Sequence, residues 1–310
     1  MKVEQGNEVK KKLLITGSTG FVAGHVIEQA SENWSVHGVS RSIHTSSSGS
    51  AQNHVADLLE PDQVSRLIQE IRPDAVIHTA AMANIDQCQT DQVSAHAVNV
   101  GATSTIAELC KNMGIKLVYC STDSIFDGEK GNYEETDTPH PVNFYAETKV
   151  EAEKIVLSAS DRNVVARLSL VMGFPVSGKG NSFLNDMILK IGRNEPVNFP
   201  QNEIRTPIDV ITLATALAEL AGNIFHGIIH LAGNTRSDRY SMAQKIADIL
   251  GLPPESRSLI RGTDSNSIPG RARRPNDASL NNSKARQLLR TPMLTLEEGL
   301  QQVIKAHKTN

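Results

Sequence analysis

Cysteine is scarce: the 310 residues hold three, Cys88, Cys110 and Cys120, with no CxxC pair among them. An odd count inside apolar segments excludes a disulfide-stapled fold and suits a reducing compartment. Excess charge of either sign is also missing. Lysine plus arginine number 31 against 34 aspartates and glutamates, a formal net charge of −3, so no global field draws the chain to nucleic acid or to an anionic membrane surface. No run of eighteen apolar residues occurs, which excludes a spanning helix. The basic Lys10 to Lys12 are followed by only Leu13 to Ile15 before a glycine turn, too short a run for a signal peptide. There is no internal repeat, and the low-complexity patch Thr45 to Ser50 reads as a loop. A cytoplasmic protein with small-molecule partners is expected.

What is present is an alternation. Apolar runs at Leu13 to Thr16, Val36 to Ser40 and Ala75 to Thr79 are separated by helical patterns at Val22 to Ser31 and Asp62 to Ile71. A long helical pattern from Gln92 to Met113 precedes the strand Lys116 to Cys120. Tyr145 to Leu157 reads as a further helix before the strand Asn163 to Leu168. This rhythm predicts a doubly wound parallel sheet of the Rossmann type. Beyond residue 170 glycine and proline break the alternation, predicting a smaller C-terminal α/β substrate lobe. The expected division is 1–168 for cofactor binding, with about 203–232 returning to it, and 169–202 plus 233–310 for the lobe. Ile228 to Leu231 is the strand that returns to the sheet, Met242 to Leu250 a helix of the lobe, and Leu296 to Ala306 a closing helix.

Directly after the first strand comes Gly17-Ser18-Thr19-Gly20-Phe21-Val22-Ala23-Gly24. Glycines there permit a tight turn and let backbone N–H groups approach a pyrophosphate at the positive end of a helix. Ordinary strand-to-helix turns also favour glycine, but this one opens the first unit of an alternating chain, and Asp57 follows the third strand where an adenine amino group can be held. NAD-preferring folds carry an acidic residue about twenty positions on for the ribose 2′-hydroxyl. Val36 to Ser50 contains no Asp or Glu; it contains Arg41 between Ser40 and Ser42. A guanidinium there pairs with a 2′-phosphate, so NADP(H) is expected over NAD(H).

Tyr145 and Lys149 stand four residues apart on one helix face, where an ammonium can favour the phenolate. An unassisted tyrosine, with a pKa of about 10, is a poor acid-base group at neutral pH. Ser121-Thr122-Asp123 ends a strand at the carboxyl edge of the sheet, where open α/β folds bind ligands, and Thr122 can hold a substrate oxygen.

These pieces carry a resemblance. Gly17-x-x-Gly20-x-x-Ala23, Arg72-Pro73-Asp74, Ala80-Ala81, Ile85-Asp86-x-Cys88 and Val98-Asn99 are followed by Ser121-Thr122-Asp123-x-x-Phe126-x-Gly128. Pro141-x-Asn143-x-Tyr145-x-x-x-Lys149, Arg274-Pro275 and Leu280-Asn281 complete the set. Over nearly its whole length the chain resembles the extended short-chain dehydrogenase/reductases, and among them the dTDP-4-dehydrorhamnose reductase family. The resemblance implies that Tyr145 is the general acid, that Lys149 binds the nicotinamide ribose and tunes the tyrosine, and that Thr122 orients a keto oxygen. It places the cofactor along Gly17, Thr19, Gly20, Phe21 and Val22, then Ser40, Arg41 and Ser42, then Asp57, Leu58, Ala80 and Ala81, with Asn99, Ser121, Tyr145 and Lys149 beyond. Asn99 is further implied to support the helix that positions Lys149. The substrate is placed against Ile85, Thr122, Asp123, Ser124, Leu170 and Arg205.

The implied activity is NADP(H)-dependent reduction of a nucleotide-linked 4-keto-6-deoxy sugar or a related carbonyl compound, with room for a homodimer. Three departures stand out. The third glycine is Ala23, the usual tyrosine after Ser-Thr-Asp is Ser124, and Ser169-Leu170-Val171-Met172 replaces an aromatic-rich run of the pocket wall. Dehydration, which needs an Asp-Glu pair after the threonine, is disfavoured because Asp123 precedes Ser124. Epimerisation with the same Tyr and Lys is a rival. So is a non-catalytic, NADP-binding regulatory subunit resembling the methionine adenosyltransferase β subunit. His78, inside an apolar run, reads as a satisfied strand histidine, no metal is expected, and Arg271, Arg273 and Arg274 either meet a diphosphate or belong to a solvated surface loop.

Overall fold

The computed structural model describes residues 10–42, 51–176 and 182–309; the expected loop Thr45 to Ser50 lies outside them. Strands β1 (Lys12–Thr16), β2 (Ser35–Ser40), β3 (Ala51–Val55), β4 (Ala75–His78), β5 (Lys116–Thr122) and β6 (Val164–Leu168) come first. Then follow β7 (Val171–Met172), β8 (Val197–Pro200), β9 (Ile204–Arg205), β10 (Ile208–Asp209), β11 (Gly227–Leu231), β12 (Ser237–Asp238) and β13 (Ile260–Thr263). Seven of them make one sheet in the order β11-β6-β5-β4-β1-β2-β3, and every pairing in it is parallel. The chain thus winds outward from β1 in both directions, as expected, and leaves a crevice where the order reverses beside β1.

The central strands read as unbroken apolar runs because both faces are covered. Successive side chains point to opposite faces. Leu13 and Ile15 of β1 enter the core under helices α1 (Phe21–Ala30) and α8 (Val210–Gly222), whereas Leu14 enters the core of the other face. That second core is closed by α2 (Pro61–Ile71), α5 (Ala102–Met113) and α6 (Phe144–Ala159). Between α2 and α5 lie α3 (Ile85–Thr90) and α4 (Gln92–His96). The pattern Gln92 to Met113 is one rod broken by a π-helical turn at Ala97–Gly101. The extra residue in that turn reorients Asn99, and such bulges cluster at functional sites.

Beyond β6 come α7 (Phe183–Gly192), α8 (Val210–Gly222), α9 (Arg239–Ile249), α10 (Pro254–Arg257), α11 (Ser283–Leu288) and α12 (Leu296–Thr309). Met172, Leu184, Met187, Phe199, Met242, Ile246, Leu300 and Val303 form a separate core from α7, β8, α9 and α12. The expected return to the sheet is made by β11, in register with β6 from Gly227 opposite Val164 to Leu231 opposite Leu168. Residues 283–293, expected in the smaller lobe, instead send Ala285, Leu289 and Met293 into the core beneath α1 and α8.

After β5, Gly128 sits at φ +82°, and a Cβ there would lie 2.4 Å from the Asn276 nitrogen and 2.7 Å from the Pro275 Cβ. Both the backbone conformation and the space demand glycine. Gly128→Ala is expected to cost about 1–3 kcal/mol, read as a lower midpoint in thermal unfolding; an unchanged midpoint would show that the 275–277 segment moves aside freely.

Candidate active site

The carboxyl ends of β1, β2, β4, β5 and β6 open into one cleft of about 1140 Å³. Its floor begins at the glycine turn. Gly17 adopts φ +68°, and a Cβ there would stand 3.0 Å from the Ala80 backbone, so the turn is a close approach that a larger residue would block. Gly20 donates to the Gly17 carbonyl at 2.8 Å and caps α1 without a side-chain partner. The first N–H groups of α1 therefore face the cleft, as anion binding requires. Ala23, in place of the third glycine, is fully buried and fits the packing of α1.

Asn143 caps α6 by accepting from the Ala146 nitrogen at 2.9 Å, which starts the helix in the phase that points Tyr145 and Lys149 at the end of β5. Tyr145, Lys149, Thr122 and the glycine turn all line the same cleft. Thr122 and Tyr145 line the cleft together, and the Thr122 hydroxyl donates to Asp123 Oδ1 at 3.3 Å. Burial pushes the Tyr145 phenol well above its ordinary pKa, and the nearby Thr122 hydroxyl only partly offsets this. Lys149 Nζ donates to the Cys120 carbonyl at 2.7 Å and stands 4.1 Å from the centre of the Tyr119 ring. Burial lowers its pKa to about 8. The Lys149 ammonium is engaged by β5, and burial favours the protonated form of Tyr145. A neutral phenol is a proton donor, the form that ketone reduction consumes.

The other end of the cleft is charged. Arg205, Arg239, Arg271 and Arg274 line it together with Glu203 and Asp86. Glu203, 2% exposed, accepts from Arg271 at 2.5 Å and pairs with Arg239 at 3.7 Å. Arg274 clamps Asp86 with two bonds of 2.6 and 2.7 Å, which hold the Asp86 carboxyl below its usual range. Burial lowers the pKa of Arg239, with Glu203 opposing it. Four guanidiniums against three carboxylates, counting Asp123, leave a net positive mouth suited to a dianionic group.

Most expected residues line this cleft: Gly17, Thr19, Gly20, Phe21, Val22, Ser40, Arg41, Asp57, Leu58, Ala80, Ala81, Ile85, Ser124 and Leu170. Several orientations differ from expectation. Asn99 does not line it; buried, it accepts from the Met82 nitrogen at 2.8 Å and donates to Thr148 Oγ1 at 3.0 Å, bracing α6 from behind. Ser42 is likewise outside the lining, and Ser40 Oγ donates to the Ser42 carbonyl at 2.7 Å, so Arg41 is the residue that offers donors. Ser121 reaches the cleft, but its hydroxyl is engaged by Glu153 at 2.5 Å.

Asp123, expected against substrate, is buried with Arg205 Nε at 3.4 Å and Ser169 Oγ at 3.3 Å from Oδ2. Burial raises its pKa, with Arg205 the largest opposing influence. The same Arg205 donates to the carbonyls of Ile204, Pro275 and Asn276, so it fixes Asp123 and the 275–276 backbone. His78 bonds Thr16 at 2.6 Å and Thr103 at 3.0 Å and is neutral, its pKa lowered to about 3 by burial. His226 and His230 stand four apart, but His226 precedes β11 and His230 lies within it, so the spacing is not on a helix. Among the described residues no cluster of three His, Cys, Asp or Glu forms a metal site, and no helix is long and apolar enough to cross a membrane. Glu203 and Arg239 were missed in the sequence, where nothing but isolated charges in mixed segments marks them.

A family model described as RmlD substrate binding domain matches residues 11–309. The chain is 32% identical over 308 residues to methionine adenosyltransferase 2 subunit beta of Mus musculus, spanning 96% of this chain and 89% of that protein. It is 28% identical over 240 residues to dTDP-4-dehydrorhamnose reductase of Aggregatibacter actinomycetemcomitans, spanning 74% and 80%. Its fold matches the crystal structure of dTDP-4-dehydrorhamnose reductase from Bacillus anthracis in complex with NADP, with a TM-score of 0.85 and 24% identity over 96% of this chain and all of that one.

Proposed function

The chain belongs to the RmlD substrate binding domain family of extended short-chain dehydrogenase/reductases, and on that premise we propose that it is an NADP(H)-dependent reductase of a nucleotide-linked 4-keto-6-deoxy sugar or a related carbonyl compound. The observation that carries this reading is the meeting of Thr122, Tyr145 and Lys149 in the cleft that the glycine turn opens. The residues present fit a dinucleotide. The Gly17 approach to Ala80 leaves the backbone bare, α1 points its N-terminus there, and Arg41 lines the adenosine end. When bound, reduced nicotinamide supplies a hydride.

The side chains supply the rest. Thr122 and Tyr145 hold the ketone oxygen and stabilise the alkoxide as it forms, and Tyr145 gives up its proton. Lys149 anchors the cofactor ribose beside them. The arginines at the far end hold the diphosphate of the sugar nucleotide, which fixes the ketone near the phenol. Residues 1–168 with about 203–232 form the cofactor half in this reading, and the remainder shapes the substrate half. Three buried free thiols accord with a reducing, cytoplasmic setting. Consumption of NADPH with a panel of nucleotide-linked keto-sugars tests the proposal; no oxidation with any of them would overturn it.

A second reading is favoured by one specific observation, the 32% identity to methionine adenosyltransferase 2 subunit beta over almost the whole chain. Under it the cleft binds NADP and the chain regulates another subunit. Multiple turnovers with NADPH separate the two.

Cofactor choice rests on Arg41. A 2′-phosphate brings about two negative charges to the end of β2, where Arg41 offers a planar fork and no carboxylate stands between Val36 and Ser50. NADPH is expected to bind more tightly than NADH by about 1–3 kcal/mol, the scale of a charged hydrogen bond. Arg41→Ala is expected to erase most of that difference in titrations of both reduced cofactors. A preference that survives the substitution would remove Arg41 from the selection.

A further inference from the structure

Glu153 is a buried carboxylate that the reaction described above does not use. It lies on α6 one turn beyond Lys149, itself one turn beyond Tyr145, so the three share a helix face. It is 3% exposed. Its Oε1 accepts from Ser121 Oγ at 2.5 Å and from Arg167 Nε at 3.1 Å, and its Oε2 accepts from Arg167 Nη2 at 2.9 Å. Arg167, on β6, is 2% exposed and lies 5.4 Å from the centre of the Phe126 ring. Apolar residues of similar volume often replace such a buried pair without loss of stability. Stability alone therefore does not account for it.

What the carboxylate adds is a join between α6 and the end of β5. Three consecutive residues of β5 meet three successive turns of α6. The Cys120 carbonyl takes Lys149 Nζ, Ser121 donates to Glu153, and Thr122 and Tyr145 line the cleft together. The Ser121–Glu153 join is set apart from the proton-transfer groups, and Arg167 holds it from the opposite side.

We propose that Glu153 is a positioning residue: through Ser121 it fixes the end of β5 against α6, so that Thr122 and Tyr145 converge on one oxygen with Lys149 held on the helix turn between Tyr145 and Glu153. The groups acting on Lys149 are Glu153 from α6, Tyr119 and Cys120 from β5, neutral His78 from β4 and Cys88 from α3. Glu153 is the carboxylate among them. Removing its charge therefore favours the neutral amine and moves loss of the ammonium to lower pH.

The inference rests on the reductase reading, and its test separates the two. Wild type, Glu153→Gln and Glu153→Leu/Arg167→Met are compared for kcat, NADPH affinity across pH, and thermal midpoint. Glu153→Gln leaves an acceptor for Ser121 but removes the charge; the double variant removes both the join and the buried pair. In the double variant the thermal midpoint stays near that of wild type and kcat falls by about 10- to 100-fold, the scale of a small misplacement of reacting groups, with NADPH affinity near pH 6.5 little changed. In Glu153→Gln the alkaline loss of NADPH affinity moves to lower pH. A double variant with wild-type kcat would overturn the proposal, leaving Glu153 only to neutralise Arg167. If wild type reduces no keto-sugar, the reductase reading fails, and the NADPH titrations decide alone: an alkaline limb that moves in Glu153→Gln supports the inference, and an unmoved limb overturns it.

Discussion

Tyr145→Phe is expected to lower kcat by about 10²- to 10⁴-fold, the range of a lost general acid, while NADPH affinity stays almost unchanged. The phenyl ring keeps its place in the packing, because only the hydroxyl is deleted. What disappears is the donor at the point where Thr122 also reaches. Burial keeps that donor protonated across the neutral range, so no other group needs to charge it before hydride arrives. Steady-state kinetics with a nucleotide-linked ketone, paired with cofactor titration, check this. A variant with wild-type turnover would take Tyr145 out of the chemistry, and equal losses of affinity and rate would recast it as a binding residue.

Lys149→Ala is expected to lower kcat/KM by about 10- to 100-fold and cofactor affinity with it, because a charged hydrogen bond worth roughly 1.5–3 kcal/mol is lost together with the packing that fixes α6 on β5. Its Nζ joins the Cys120 carbonyl at 2.7 Å, so the deletion also leaves that carbonyl without its lysine donor. The same residue sets a pH dependence. Burial lowers the Lys149 pKa to about 8; the ammonium is present below that value and lost above it. Cofactor affinity and rate are thus expected to fall as pH rises through about 8, although the Tyr145 proton is still in place. A pH profile flat from neutrality to well above 8 would show that the ammonium is not required, and Lys149→Ala with wild-type NADPH affinity would show that it does not hold the cofactor.

The alternation of apolar runs and helical periods placed the central elements well, because burial on both faces of a parallel strand and on one stripe of a helix leaves a local mark. β1, β4 and β5 are read directly from Leu13 to Thr16, Ala75 to Thr79 and Lys116 to Cys120. The glycine turn was legible for a similar reason: a positive φ at Gly17 and the close approach to Ala80 restrict residue choice. Tyr145 and Lys149 announced themselves through a spacing that any helix converts into one face. Asn99 was found by its motif but assigned to the cofactor as well as to α6, since a residue name does not say which way an amide points. The π-helical turn that aims it at Met82 and Thr148 has no signature in a helical period.

Pairings across long stretches of chain were not legible at all. Asp86 and Arg274 lie 188 residues apart, and nothing in either segment names the other as its partner. Glu153 and Arg167 look like surface charges on a helix and an anomaly in a strand until β6 is laid beside β5 and α6 is laid over both. Lys149 shows the division most clearly. Its place beside Tyr145 follows from four residues of helix, which the sequence determines by itself, together with the fold class and the cofactor turn. Its bond to the Cys120 carbonyl and the burial that shifts both groups were decided only by tertiary structure, because desolvation depends on every element packed around a site and not on the neighbours along the chain.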